Sequence, residues 1–227
     1  MNKRESKNYG PFTEWVGDHI QLDGWGPVGS SHKFIFFHIP KTAGVSIASA
    51  LSMNCLQCHN SANQIKQILN KTEFGKKVWQ EYFKFSFVRN PWSWVVSNIQ
   101  YVANCLGVDV DSSAFLTRWM NDKKIRVVDK FTADVSAFLE RSQYTFLSEG
   151  ESKDGGLLVD FVGKFENLQQ DFDYICNKVG VPQKMLLHEN KTKQYKHYSE
   201  YYNEDTEQFI ASKFAKDIEY FGYEFER

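Results

Sequence analysis

Apolar and polar positions along this chain follow two rhythms. Residues 34–38, Phe-Ile-Phe-Phe-His, form an apolar run of strand length, and residues 44–51 continue with helical spacing. Residues 83–88 make a second strand, closed by Arg89-Asn90-Pro91. Pro91 suits the first turn of a helix, and Trp92, Val95, Val96, Ile99 and Val102 then recur at helical intervals. Ile65, Ile68 and Leu69 mark a short helix over 63–69. Residues 114–120 and 132–139 predict two further helices, and 143–146 an extended piece. Residues 157–165 read as a strand, and 166–179 as a helix that stops at Gly180 with Pro182 just beyond. A last helix is expected over 205–220.

Strand followed by helix, repeated, predicts an α/β fold around a mainly parallel sheet. Residues 1–32 mix Gly, Pro, Trp and charge without a period, so they read as an N-terminal arm, with Trp15 and Trp25 packing it onto a single domain over 33–227.

Composition narrows the function only a little. The 227 residues are 42% hydrophobic and 24% charged, ordinary for a chain with a real core. A net charge of −1 provides no global attraction to nucleic acid, so an anionic ligand must be met by a local basic patch. Cys55, Cys58, Cys105 and Cys176 are too scattered for a disulfide framework and read as reduced thiols, Cys55-x-x-Cys58 included, since no second pair completes a zinc site. No apolar run reaches the roughly 20 residues that span a bilayer, and residues 1–7 lack the apolar core of a signal peptide. The expectation is a soluble, cytoplasmic chain.

Two segments carry the candidate chemistry. In the first, strand 34–38 feeds the turn Ile39-Pro40-Lys41-Thr42-Ala43-Gly44-Val45-Ser46 at a helix start, where free backbone N–H groups favour an anion. Lys41 adds a cation, and Thr42 and Ser46 add hydroxyls. The Walker order G-x-x-x-x-G-K-[ST] is absent, because Lys41 precedes the single Gly44. A phosphate cradle of another build and a plain strand-to-helix turn with a surface lysine both remain open. In the second segment Arg89 stands at the carboxyl end of a strand, where ligands bind in open α/β sheets, with Ser93 and Ser97 following on one helical face. An Arg fork plus a hydroxyl can grip a phosphate, although Arg89 could equally pair with a carboxylate and Ser97 merely pack.

Together these segments resemble the sulfotransferases that use 3′-phosphoadenosine 5′-phosphosulfate (PAPS), and most closely the carbohydrate branch of uronyl 2-O and chondroitin type. Phe37-His38-Ile39-Pro40-Lys41-Thr42-Ala43-Gly44-Val45-Ser46 is similar to their 5′-phosphosulfate loop, and Phe87-Val88-Arg89-Asn90-Pro91-Trp92 through Ser97 to their 3′-phosphate motif. Phe161-Val162-Gly163-Lys164-Phe165-Glu166-Asn167-Leu168 and the tail through Tyr198, Tyr201, Tyr202 and Phe221-Gly222-Tyr223 resemble the C-terminal half of the family. The resemblance implies a P-loop-like three-layer sandwich. It also implies that Thr42, Ala43, Gly44, Val45 and Ser46 hold the phosphosulfate, that Lys41 faces the leaving phosphate oxygen, and that Arg89 and Ser97 bind the 3′-phosphate. Val45 replaces a common Thr, and Trp94 stands where an Arg is frequent.

Sulfuryl transfer to an alcohol needs a general base. His59 lies between the two motifs and resembles a functional His of the uronyl 2-O enzymes; a nearby carboxylate is the rival. The basic run His188, Lys191, Lys193, Lys196 and His197 is ordinarily a solvated face. The resemblance makes it a loop over the donor, with Lys191 and Lys193 as contacts. Gln143 resembles a family Gln near the acceptor, and Trp92, Trp94 or Tyr101 could stack a sugar ring. The implied acceptor is a carbohydrate or another hydroxyl-bearing molecule, and because the sequence shows no acidic cluster with recognisable metal-ligand spacing, metal-independent chemistry is expected. A P-loop-like small-molecule kinase and a non-catalytic nucleotide- or glycan-binding relative are the alternatives.

Overall fold

The computed structural model describes residues 28–29, 31–53, 59–121, 135–136, 139–149, 156–186 and 196–227. Among them a four-stranded sheet runs in the order β1 (Val28–Gly29), β2 (Phe34–Phe37), β3 (Phe83–Val88), β4 (Phe161–Lys164). β1 is antiparallel to β2, whereas β2, β3 and β4 are mutually parallel, with Phe34 opposite Phe83 and Phe85 opposite Phe161. All carboxyl ends of the parallel strands therefore meet at one edge.

A strand such as Phe34–Phe37, with no polar alternation, is expected where both faces of a sheet are covered. Ile35 and Phe37 enter one core with Val95, Ile99, Leu116, Leu147 and Ile210, while Phe34 and Phe36 enter a second with Phe85, Phe87, Ile47, Phe172 and Ile175. Helices thus lie against both faces. The second face carries α1 (Gly44–Ala50) and α7 (Leu168–Val179). The first carries α2 (Ala62–Leu69), α3 (Glu73–Glu81), α4 (Pro91–Leu106), α5 (Ser112–Asn121), α6 (Gln143–Leu147), α8 (Glu204–Lys213) and α9 (Ala215–Phe221). Each fully buried Phe contributes roughly 1.5–3 kcal/mol of transfer free energy, so the β2–β3 pair anchors both layers.

Three expected elements differ. Residues 143–146 are helical rather than extended, because the Ser142 side chain accepts from the Thr145 N–H and caps a short helix. Only Phe161–Lys164 of the expected strand 157–165 pairs in the sheet; Leu157 instead bridges to Ser148. The final helix is two, broken at buried Phe214, whose backbone is no longer helical. Helix α3 is additional. Most of the expected helix 132–139, together with residues 1–27, Cys55, Cys58, His188, Lys191 and Lys193, lies outside the described residues. Among the described residues no helix is long and apolar enough to cross a membrane.

Candidate active site

The site forms where β2 and β3 end side by side. Beyond Phe37 the chain makes a strained turn: Lys41 has φ 65° and Ala43 φ 67°, both left-handed, a conformation that non-glycine residues adopt only at a steric cost. Thr42 between them is fully buried, and its hydroxyl donates to the Ile39 carbonyl at 2.8 Å. That proton is spent inside the turn, so Thr42 has only its backbone N–H to offer a ligand. Whereas Ser61, Thr72 and Asn90 cap α2, α3 and α4 with a side-chain oxygen, Ala43 caps α1 with none. The first N–H groups of α1 are left without an intrahelical or capping acceptor.

Gly44 is required here by close approach. A Cβ at this position would lie 1.8 Å from the His38 ring, so only glycine lets the imidazole lie against the start of α1. The His38 carbonyl then accepts from His59 Nδ1 at 3.2 Å, and the two rings lie 4.7 Å apart. A carbonyl can only accept, so Nδ1 carries the proton and Nε2 of neutral His59 keeps its lone pair. Burial by its surroundings lowers the His59 pKa, and the carbonyl hydrogen bond counters this in part. By solvent accessibility the residue is nevertheless exposed.

At the end of β3 the backbone leaves the ladder at Arg89, and its polar groups are completed by side chains. Arg89 N–H donates to Gln143 Oε1, and Gln143 Nε2 donates to the Arg89 carbonyl, each at 2.8 Å. Asn90 N–H donates to Glu166 Oε1 at 2.8 Å, and Tyr223 O–H donates to the other carboxylate oxygen at 3.0 Å. Burial and the Glu166 charge push the Tyr223 phenol far up. The Arg89 guanidinium donates to Ser93 Oγ at 2.9 Å and to the Lys41 carbonyl at 3.4 Å, and stacks 4.2 Å from the Phe165 ring.

Lys41 and Arg89 are thus neighbours. Burial and the Arg89 charge lower the Lys41 ammonium to about 8, with Cys105 raising it in part. Burial lowers Arg89 to about 10, with Glu166 opposing, so it stays cationic at neutral pH. Lys41 Nζ rests 4.2 Å from the Tyr101 ring centre, and among the described residues neither cation forms an ion pair.

A cavity of about 290 Å³ opens beside the turn, lined by Ile39, Pro40, His59, Trp94, Glu140, Arg141, Ser142, Gln143 and Phe146. It shares Ile39 and Pro40 with the loop but is not lined by Lys41 or Arg89. The structure therefore places Lys41 and Arg89 side by side at the Gly44 turn and puts His59 on the wall of the adjacent cavity. Ser97 is half-buried one turn beyond Ser93 on the same face of α4, but the hydroxyl that meets Arg89 is that of Ser93.

Several expectations change on this geometry. Trp92 and Trp94 are core residues, edge-on to Phe225 and Phe214, which disfavours sugar stacking even though Trp94 borders the cavity; Tyr101 is 41% exposed. Trp94 Nε1 donates to the Pro40 carbonyl. Sequence reasoning missed Ser93 as the partner of Arg89, Glu166 and Trp94. A signal for Glu166 was available: it follows a third parallel strand at the same edge as Lys41 and Arg89.

The sulfotransferase family model matches residues 28–137, which include every residue of both cation-bearing strand ends. Over those residues the chain is similar to the sulfotransferase family. Carbohydrate sulfotransferase 14 of Danio rerio is 23% identical over 228 aligned positions, covering 86% of this chain and 61% of that protein. The chain thus spans less than two thirds of that sulfotransferase. An uncharacterized protein of Archaeoglobus fulgidus is 27% identical over 117 residues, 51% of this chain and 82% of its own length. No solved structure gives a significant match.

Proposed function

We propose that this chain is a sulfotransferase that moves a sulfuryl group from PAPS to a hydroxyl of a carbohydrate or glycan-containing acceptor, on a P-loop-like α/β domain. The observation that carries the reading is the juxtaposition of Lys41 and Arg89 at adjacent strand ends, largely buried and without an ion-paired carboxylate among the described residues. Two such cations repel each other, and a polyanion bound between them removes that cost. A donor with phosphate at both the 3′ and 5′ positions of its nucleoside fits this need.

In this reading the backbone N–H groups of Thr42, Ala43, Gly44, Val45 and Ser46, with the Ser46 hydroxyl, hold the 5′-phosphosulfate. Arg89 holds the 3′-phosphate, with Ser93 orienting its guanidinium and Ser97 extending the grip along α4. Lys191 and Lys193 cover the donor. The acceptor enters through the cavity beside Pro40, where Glu140 is the rival base. His59 Nε2 takes the hydroxyl proton as the acceptor oxygen bonds to sulfur, and Lys41 neutralises the phosphate oxygen as its bond to sulfur breaks. No metal is assigned a role.

Calorimetry tests the donor assignment directly. Adenosine 3′,5′-bisphosphate should bind more tightly than ATP or ADP, and Arg89→Ala should abolish the difference. A preference for ATP would overturn it.

A further inference from the structure

Gln143 is fully buried, and both atoms of its carboxamide bond to Arg89, with a further side-chain hydrogen bond from Gln143 to Asp217. The pattern is that of a strand rung: an N–H received and a C=O answered, but supplied by a side chain at the point where β3 has run out of neighbours. Gln143 is in turn fixed at its own backbone. Its N–H and that of Tyr144 donate to the two carboxylate oxygens of Asp217, at 2.9 and 2.7 Å. Asp217 is fully buried on α9, so the start of α6 is clamped from a distant part of the chain. Gln143 also forms part of the cavity wall, with the amide oxygen and one amide N–H turned to Arg89.

We infer that Gln143 is a positioning residue for Arg89, with Asp217 as its buckle, and that it sets recognition of the donor's 3′-phosphate rather than touching the acceptor. This rests on the donor reading above. The guanidinium leaves the backbone that Gln143 grips and must meet a phosphate fixed by the opposite end of the nucleotide. A shift of that backbone uncouples the 3′ end while the Gly44 turn still holds the 5′ end.

The test compares adenosine 3′,5′-bisphosphate with adenosine 5′-phosphate by calorimetry on the full chain, for wild type, Gln143→Leu and Gln143→Glu. Gln143→Glu is isosteric; it still accepts from the Arg89 N–H but faces the Arg89 carbonyl with an oxygen. Wild type should prefer the bisphosphate, and both variants should lose about tenfold or more of that preference with 5′-phosphate binding unchanged. Should Gln143→Leu fail to fold, Gln143→Glu alone decides. A preference kept intact, or an equal weakening of both ligands, overturns the positioning role. Equal binding of the two ligands by wild type would instead overturn the donor reading, and this inference with it.

Discussion

Trp94 Nε1 donates to the Pro40 carbonyl at 2.7 Å, so the helix that follows β3 holds the turn that leaves β2. The residue is 1% exposed, and its ring lies edge-on to Phe214. Position 94 thus couples the two cation-bearing strand ends through the core.

Replacing Trp94 by Phe keeps most of the apolar volume and removes the indole donor, leaving a carbonyl beside the cavity. A stability loss of about 1–3 kcal/mol is expected from the lost bond and volume together. Donor affinity should fall with it, whereas an ordinary core substitution would change the unfolding midpoint alone. Chemical denaturation and bisphosphate calorimetry on the same preparation separate the two outcomes.

Lys41 should make donor binding sensitive to alkaline pH. Its ammonium sits at about 8 in the free chain, so the bound phosphate finds a full charge at pH 7 and a minority of one at pH 9. The affinity for adenosine 3′,5′-bisphosphate should therefore fall as pH rises through 8. Lys41→Arg should bind with little pH dependence over that range yet turn over poorly, because the planar guanidinium does not place its charge where an ammonium does. A wild-type affinity flat between pH 7 and 9 would refute the assignment.

His59 predicts the acidic limb. As a base it must be neutral, and burial holds its pKa below the ordinary 6.5. With Lys41 on the alkaline side, kcat/KM for sulfate transfer should trace a bell with its lower inflection under pH 6.5. His59→Ala should lose activity by roughly 100-fold or more, with bisphosphate affinity unchanged. Survival of the acidic limb in that variant would hand the role to a carboxylate, with Glu140 the first to replace.

Asp217 gives a stability test independent of catalysis. Burial raises its carboxyl from 3.8 to about 6, against the pull of the N–H groups of Gln143 and Tyr144. The folded chain then binds this proton more tightly than the unfolded chain, so the group's contribution to stability falls as pH rises from about 4 to 6. Asp217→Asn cannot titrate. Relative to wild type it should gain about 2 kcal/mol between pH 4.5 and 7, read from urea unfolding at each pH.

The parts of the fold that could be read in the sequence were those set by local composition. The run Phe34–Phe37 is apolar on both faces, Phe83–Val88 carries a phenylalanine at every second position, and Asn90-Pro91 announces a helix start. The parts that could not be read depend on distant partners. Tyr144-Thr145-Phe146 has strand propensity, yet Asp217, remote in sequence, captures the N–H groups there and makes a helix. Residues 157–160 look as apolar as Phe161–Lys164, but Asp160 turns its carboxylate to the Lys84 N–H of β3. The same limit applies to the site: Lys41 and Arg89 stand out by position, whereas Ser93 and Gln143 become partners of Arg89 only once β3 ends and α6 docks against it.

The Gly44 contact binds two decisions into one. The His38 ring occupies the space of a Cβ at position 44, and the His38 carbonyl holds His59. Any side chain introduced at 44 must push the imidazole aside, and with it the peptide from which His59 hangs. The grip on the donor and the aim of the base therefore share one hinge. Redesigning the loop for a different anion would detune proton removal as well, and compensating changes should be sought at 38 and 59 before the cradle itself.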